Sequence, residues 1–121
     1  MPQFKPLSRD LRRRLAELVI DFEAGRRWAY YVAWLQGKKP MTVAEPSAAK
    51  CFTSELTVRL ANAGLEMMGL YGTLRQGSKW AALQGKFERM SQFSLGFTIA
   101  AGSTEIQKNL IAWSGLGLPR Q

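Results

Sequence analysis

The apolar residues between Ser8 and Gln36 recur at alternating spacings of four and three, and this feature constrains the fold more than any other. Such spacing gives an α-helix one apolar stripe and does not fit the two-residue alternation of a strand. Ser8 is a suitable N-cap, and Gly37 is a suitable C-terminal stop. We therefore predict one long amphipathic helix from Ser8 to about Gln36. Its expected stripe is Leu11, Leu15, Leu18, Phe22, Gly25, Ala29 and Val32.

A second long helix is predicted after a short connection through Met41. Pro46 is placed at its first helical position, where a missing backbone amide has no consequence, and the helix is expected to end near Leu70. The apolar residues of this helix also form one predicted stripe. It comprises Ala49, Phe52, Leu56, Leu60, Ala63, Met67 and Leu70.

A glycine-containing loop to about Gly85 is predicted next, and a shorter third helix follows it. We expect Trp80 and Leu83 to anchor the loop on the helices. The third helix is predicted from Lys86 to about Phe97, because apolar residues again recur at helical spacing. Its expected inward residues are Phe87, Met90, Phe93 and Phe97.

The segment from Gly102 to Arg120 predicts a fourth helix whose start could hold an anion. Thr104 and Gln107 have the spacing of a capping box, and Ser103 is a competing N-cap. Gly102 permits a positive φ or a close approach, and the free amides of a first helical turn attract phosphate. The predicted stripe is Ile106, Leu110 and Trp113, and the predicted stop is Gly115, Gly117 and Pro119. Together the four helices predict an all-α fold, an antiparallel four-helix bundle, in one domain over residues 1–121.

The composition excludes several kinds of chemistry. The chain has no histidine and one cysteine, which excludes Ser-His-Asp and Cys-His catalysis and the usual zinc sites. Cys51 is expected to pack as a small apolar residue. The net charge of +8 would attract nucleic acid, anionic lipid or a phosphate-bearing molecule alike, but the basic residues are dispersed. Because the chain shows no nucleic-acid motif, membrane span or signal-peptide core, we expect a cytoplasmic protein that binds neither nucleic acid nor membrane.

The C-terminal signature of FAD-dependent acyl-CoA dehydrogenases closely resembles the last segment of the chain, AAGSTEIQKNLIAWSGLGLPR. Earlier segments resemble further motifs of that family, in the family's order: LAELVIDFEAGRRWAYYVAWLQGKK, PSAAKCFTSEL and LEMMGLYG. The resemblance implies a four-helix C-terminal domain of an enzyme that oxidises an acyl-CoA thioester at Cα and Cβ with FAD. It also implies a fragment or a truncated relative of that larger flavoenzyme, inactive when isolated.

The resemblance further implies which residues meet the cofactor. The FAD pyrophosphate and adenosine would contact Gly102, Ser103, Thr104 and Glu105, and the FAD of a neighbouring subunit would be approached by Glu66 and Gly69. Two positions depart from the family pattern, since Glu66 stands where many members carry Gln and Leu70 where many carry Gly. Ala101 occupies the usual position of the catalytic Glu, so no catalytic residue is expected in this chain.

Functions of different classes therefore remain open at the level of sequence. The first is the C-terminal domain of an acyl-CoA dehydrogenase, in a homodimer, a homotetramer or a complex with a paired dehydrogenase subunit. The alternative is a non-enzymatic helical module that associates with itself or another helical protein through Trp28, Trp34 and Trp113. Nucleic-acid binding through the net charge of +8 has no recognition motif to support it.

Overall fold

The computed structural model describes residues 7–38, 40 and 42–120. Within these ranges the chain forms helices and connecting turns, with no strand. Helix α1 spans Arg9–Gln36, α2 spans Ala44–Met68, α3 spans Lys86–Ile99 and α4 spans Thr104–Leu110. Short 3₁₀ segments lie at Gly69–Thr73 and Ala82–Gly85, and one π-helical turn, Ile111–Gly115, continues α4. The all-α prediction is confirmed, with three long helices and a short fourth.

Helix α1 begins and ends at the capping signals of the sequence, whereas α2 does not begin where its signal predicted. The Ser8 hydroxyl accepts the Leu11 amide at the start of α1, at 3.2 Å, and Gly37 follows its last residue. The start of α2 was predicted wrongly, because α2 begins at Ala44 and Pro46 is its third residue. The first amides of any helix lack an intrahelical acceptor, so the proline ring is tolerated there as well. The predicted connection through Met41 lies outside the described residues.

Helix α2 lies at the centre, and α1 runs antiparallel to it. Ion pairs join Arg14 to Glu66 and Arg59 to Asp21, the second at 2.7 Å, so the residue numbers rise along one helix as they fall along the other. The apolar core between the two helices consists of Leu18, Leu56 and Ala63, with Phe52, Leu60 and Met67 packed against it. None of the helices in the described ranges has the length and apolarity needed to cross a bilayer.

The predicted stripe of α1 is correct at four of its seven positions. Leu18 and Gly25 are buried and Leu11 and Val32 are half-buried, whereas the exposed members are Leu15, Phe22 and Ala29. Arg14 and Asp21 take the corresponding places, where they pair with α2. Charged residues thus occupy part of the inter-helix seam, and this displaces the apolar residues that the pattern had assigned to it.

Helix α3 packs antiparallel to α2 on another side, through a close approach at Gly64. A Cβ on Gly64 would lie 2.1 Å from Cδ1 of Phe87, so only glycine admits the ring. Two inward predictions for α3 are wrong, since Phe93 and Phe97 are 67% and 55% exposed, while Ser94 is buried. The buried residues Gly64 and Ser94 are small, and hydrophobic periodicity does not register them.

The loop before α3 turns through left-handed backbone. Leu83, Gln84 and Gly85 have φ values of 49°, 55° and 69°. Trp80 and Leu83 are exposed, so the prediction that they anchor the loop was wrong, as was the inward placement of Leu70. The turn itself redirects the chain into α3, and no large apolar side chain is needed for that purpose.

Candidate functional site

The candidate site is the turn between α3 and α4, residues 100–103, hereafter the α3–α4 turn. Ala100 is extended, and Ala101 and Gly102 then adopt left-handed φ values of 55° and 90°. Ser103 returns to extended backbone and caps α4 by accepting the amide of Ile106 at 3.4 Å. Of the two predicted N-caps, Ser103 is therefore the one in use. A left-handed residue with a Cβ, such as Ala101, is disfavoured by about 1–2 kcal/mol and needs support from its surroundings.

Two side chains provide that support. Nε2 of Gln107 donates to the carbonyl of Ala101 at 2.9 Å, and Nζ of Lys50 donates to the carbonyl of Gly102. Gln107 belongs to α4 and is buried, whereas Lys50 reaches the turn from α2. The side chain of Gln107 therefore bonds to the turn itself and does not complete the capping box predicted with Thr104. Sequence reasoning assigned no role at the site to Lys50.

Glycine is required at position 102 for two reasons. Its φ of 90° lies where side chains are rarely found, and a Cβ there would lie 2.7 Å from Nε2 of Gln107. A larger residue would displace the amide that holds the Ala101 carbonyl. The sequence predicted that Gly102 would adopt a positive φ or approach other atoms closely, and the turn uses both properties.

The charges at this turn are a lysine and a glutamate. The backbone amide of Glu105 and the hydroxyl of Ser103 hold the pKa of the Glu105 carboxyl below its usual value, and nearby Lys108 and Lys50 act in the same direction. Glu105 is therefore anionic at neutral pH. Lys50 forms no ion pair among the described residues, so its ammonium supplies positive charge at the turn.

A cavity of about 270 Å³ opens beside the turn. Its walls are largely apolar because the hydroxyls of Thr53, Ser54 and Thr57 donate to carbonyls within α2 at 2.7–2.8 Å. The lining residues are Lys50, Thr53, Ser54, Thr57, Phe97, Ala100 and Ala101. The lining contains no carboxylate or histidine, and Ala101 contributes only a methyl group. The cavity can therefore enclose apolar groups, but its lining offers no general base.

Cys51 does not have the properties of a nucleophile. Burial raises the pKa of its thiol, and the neighbouring carboxylate of Glu55 raises it further. The sulfur lies 3.8 Å from the carbonyl of Thr104, where α4 crosses α2. The thiol is therefore protonated at neutral pH and packs between two helices. Within the described ranges, no group of three His, Cys, Asp or Glu side chains could hold a metal ion.

The two other predicted cofactor residues lie at the far end of α2. Glu66 is 16 residues beyond Lys50, which corresponds to about 24 Å along a helix. Its carboxylate pairs with Arg14, and Gly69 ends α2 with a φ of 55°. Within this chain Glu66 and Gly69 therefore do not join the residues of the α3–α4 turn. A second cavity, of about 200 Å³, lies near Arg14 and is lined also by Glu17, Leu18, Arg59 and Asn62.

Comparison with known proteins identifies a family that this sequence matches. Residues 6–116 match the family model described as "Acyl-CoA dehydrogenase, C-terminal domain". Over 77 residues, 64% of the chain, the sequence is 42% identical to acyl-CoA dehydrogenase FadE26 of Mycobacterium tuberculosis. Over 99 residues it is 26% identical to the probable acyl-CoA dehydrogenase YngJ of Bacillus subtilis. The matched parts cover 19% and 24% of the lengths of these two relatives.

Solved structures of multi-chain complexes have the same fold. One is the ChsE4-ChsE5 complex from Mycobacterium tuberculosis, with a TM-score of 0.86 and 33% identity. Another is the Tcur3481-Tcur3483 steroid acyl-CoA dehydrogenase, with a TM-score of 0.89 and 26% identity. Each match covers 94% of this chain and 29% or 30% of the solved chain. The chain thus corresponds to less than a third of the relatives it matches.

Proposed function

This chain belongs to the acyl-CoA dehydrogenase family and matches its C-terminal domain, and on that premise we propose that it is part of a flavoenzyme. The proposed reaction of the whole protein is the α,β-dehydrogenation of an acyl-CoA thioester, in which FAD supplies the hydride acceptor. The domain contributes cofactor contacts and a subunit interface. By itself, residues 1–121 are inactive. We further propose a cytoplasmic location for the whole protein.

The geometry of the α3–α4 turn carries this proposal. The residues proposed to contact FAD are Gly102, Ser103, Thr104 and Glu105, which follow one another around the turn and into α4. A fit to a pyrophosphate is supported by the ammonium of Lys50, which reaches the turn and forms no ion pair among the described residues. The anionic Glu105 opposes a phosphate, so its proposed contact is with a hydrogen-bond donor of the adenosine.

The catalytic base is proposed to lie outside this chain. Deprotonation at Cα requires an acceptor near the thioester, and Ala101 cannot accept a proton. Nor does the cavity lining beside it contain a carboxylate. Either an earlier helix of the whole protein or a paired subunit supplies the base, and this domain supplies the turn and one wall of the site.

A subunit interface is supported by the surface of the chain. It exposes 9157 Å², whereas a folded monomer of 13.6 kDa exposes about 6,600 Å². The difference exceeds the roughly 800 Å² that each partner buries in a standard interface. We propose that part of it is covered in a homodimer, a homotetramer or a complex with a second dehydrogenase chain. The paired complex is favoured because both structural relatives are multi-chain complexes named for two different proteins.

The substrate proposed for the whole protein is an acyl-CoA with a bulky ring system. One structural relative is described as a steroid acyl-CoA dehydrogenase. The side chains of Ala100, Ala101 and Ser54 beside the turn are small, and this leaves the cavity wide.

Glu66 and Gly69 are proposed to approach the FAD of a neighbouring subunit, which agrees with their distance from the α3–α4 turn.

The proposal is tested by titrating the 121-residue chain with FAD, with and without an acyl-CoA, using calorimetry and flavin fluorescence. Gly102→Ala is expected to weaken FAD binding at least tenfold, because the new Cβ displaces Gln107. Gly96→Ala is the matched control, since a Cβ at Gly96 meets nothing within 4 Å. If the two variants and the wild type bind FAD equally well, the turn does not contact the cofactor.

The interface is tested on the same samples by sedimentation. We expect association of the wild-type chain at micromolar concentration, since its surface is incompletely covered. A monodisperse monomer at high micromolar concentration, combined with failure to bind FAD, would count against both parts of the proposal. The alternative of a non-enzymatic helical module is not favoured, because the family match spans most of the chain.

A further inference from the structure

We propose that Lys50 and Gln107 are positioning residues that hold the α3–α4 turn in the orientation needed for flavin contact. This inference rests on the proposed function. Two consecutive carbonyls of the turn are bound by side-chain donors from two different helices: Lys50 of α2 holds Gly102, and Gln107 of α4 holds Ala101. Neither donor is required to form α4, which is capped by Ser103. The two bonds therefore control the turn and not the helix after it.

The consequence for the amides follows from peptide geometry. A trans peptide unit is planar, so its N–H points away from its C=O. The carbonyl of Ala101 shares a peptide with the amide of Gly102, and the carbonyl of Gly102 shares one with the amide of Ser103. Since both carbonyls face Lys50 and Gln107, both amides face away from them. In the described part of the chain, neither amide has a hydrogen-bond acceptor.

The turn depends on these donors because its backbone is unfavourable without them. Ala101 has a Cβ and a φ of 55°, a combination that a free chain rarely adopts. At Gly102 the missing Cβ leaves the space into which Nε2 of Gln107 fits. Lys50 adds a charge-assisted bond, and its two remaining N–H groups stay available to an anion beside the turn. The turn residues Ala101 and Gly102 therefore depend on the two donors, Lys50 and Gln107.

The first measurement concerns the turn without any ligand. Backbone ¹⁵N relaxation at Ala101, Gly102 and Ser103 is recorded for the wild-type chain, Lys50→Met, Lys50→Arg and Lys86→Met. We expect order parameters near 0.85 in the wild type and below about 0.6 at the turn in Lys50→Met. Lys50→Arg retains a donor and should restore most of the order. Lys86→Met removes an equal charge from an exposed residue at the start of α3 and should change nothing.

The second measurement follows the same amides during FAD titration. Lys50→Met is expected to weaken FAD binding about tenfold, and Lys50→Arg less than threefold. Gln107→Leu should act in the same direction, but Gln107 is buried, so this variant is interpreted only if its melting curve stays cooperative. If Gln107→Leu fails to fold, the Lys50 variants still provide the test, because Lys50 is half-exposed and its replacement disturbs the core less.

The outcomes separate this inference from the proposed function. If the wild type binds FAD at these amides and Lys50→Met binds equally well with an ordered turn, the positioning role is overturned and the proposed cofactor contact stands. If FAD leaves the wild-type amides unshifted, the cofactor contact fails and the flavin part of this inference fails with it. Loosening of the turn in Lys86→Met as well would show a general effect of charge and also overturn the inference.

Discussion

Helices α1 and α2 are of similar length but are buried very differently. The 25 residues of α2 include seven buried ones, whereas the 28 residues of α1 include only Leu18 and Gly25. Six of the seven in α2 are small, namely Ser47, Cys51, Ser54, Ala61, Ala63 and Gly64. Small side chains let several neighbours approach α2 closely, so its packing is completed inside this chain.

Helix α1 packs on α2 along one side and leaves apolar residues on the others. Those that remain more than half exposed are Val19, Ile20, Phe22, Tyr30, Tyr31 and Trp34. A helix that is apolar on several sides is normally covered on several sides. The comparison therefore separates residues that stabilise this domain from residues available to a partner. The first three of the four predictions below test that separation, and all four are ordered from the largest expected effect to the smallest.

The largest effect is expected at the contact between α2 and α3. Gly64→Ala introduces a Cβ 2.1 Å from the ring of Phe87, and we expect it to lower the free energy of unfolding by about 3 kcal/mol. Gly96→Ala, in the interior of α3 and without neighbours, should raise it by up to about 1 kcal/mol. Urea unfolding of both variants measures the difference. Equal stabilities would mean that Phe87 does not pack on Gly64.

The seam of α1 is tested by two leucines three residues apart. Leu18 is 8% exposed and Leu15 is 38% exposed. We expect Leu18→Ala to lower the free energy of unfolding by about 2–3 kcal/mol and Leu15→Ala by less than about 1 kcal/mol. Urea denaturation gives both values. Equal effects of the two substitutions would support the sequence-based stripe, in which Leu15 and Leu18 are equivalent.

The outer surface of α1 should affect association and not folding. Phe22→Ser removes an exposed ring, so we expect its unfolding free energy to change by less than about 0.5 kcal/mol. Its association should weaken by about tenfold, which corresponds to about 1.4 kcal/mol. Sedimentation equilibrium measures this, with Leu116→Ser, exposed but outside α1, as the control. Unchanged association of Phe22→Ser would remove this surface from the interface.

The smallest effect concerns ionisation at the start of α4. The pKa of Glu105 is lowered by its own backbone amide and then by the Ser103 hydroxyl. Because the folded pKa is below the unfolded one, the stabilisation is present above the unfolded pKa and is lost as pH falls through the folded pKa. Ser103→Ala should raise this pKa only part of the way to its usual value, since the hydrogen bond from the backbone amide of Glu105 remains. A ¹³C titration of the Glu105 carboxyl measures it, and Ser78→Ala should leave it unchanged.

The sequence predicted the helices better than it predicted their faces. Ser8, Gly37 and Ser103 specify helix ends through contacts within a few residues, and such contacts are visible in the sequence. Which side of a helix is buried depends on its neighbours. Arg14 and Asp21 enter the seam because their partners, Glu66 and Arg59, lie on another helix. No property of α1 alone indicates that.

The same distinction applies to the candidate site. The left-handed Gly102 and the cap at Ser103 were predicted because both are local features. The bond from Lys50 to Gly102 spans 52 residues and depends on how α2 and α3 pack. Lys50 was present in the segment that resembles the family, but its partner was not deducible from periodicity. Contact of the turn with FAD stays a prediction.

Helix α3 is fixed to α2 at both ends, by Phe87 against Gly64 at its start and by the α3–α4 turn on Lys50 after its end. Lys50 and Gly64 are separated by 14 positions along α2, and α3 has 14 residues, so both spans measure about 21 Å. Adding or deleting one residue within either span would change its length by about 1.5 Å and rotate everything beyond it by about 100°. Substitutions on the exposed side of α3 can therefore accumulate during evolution, whereas insertions and deletions there would separate the turn from Lys50.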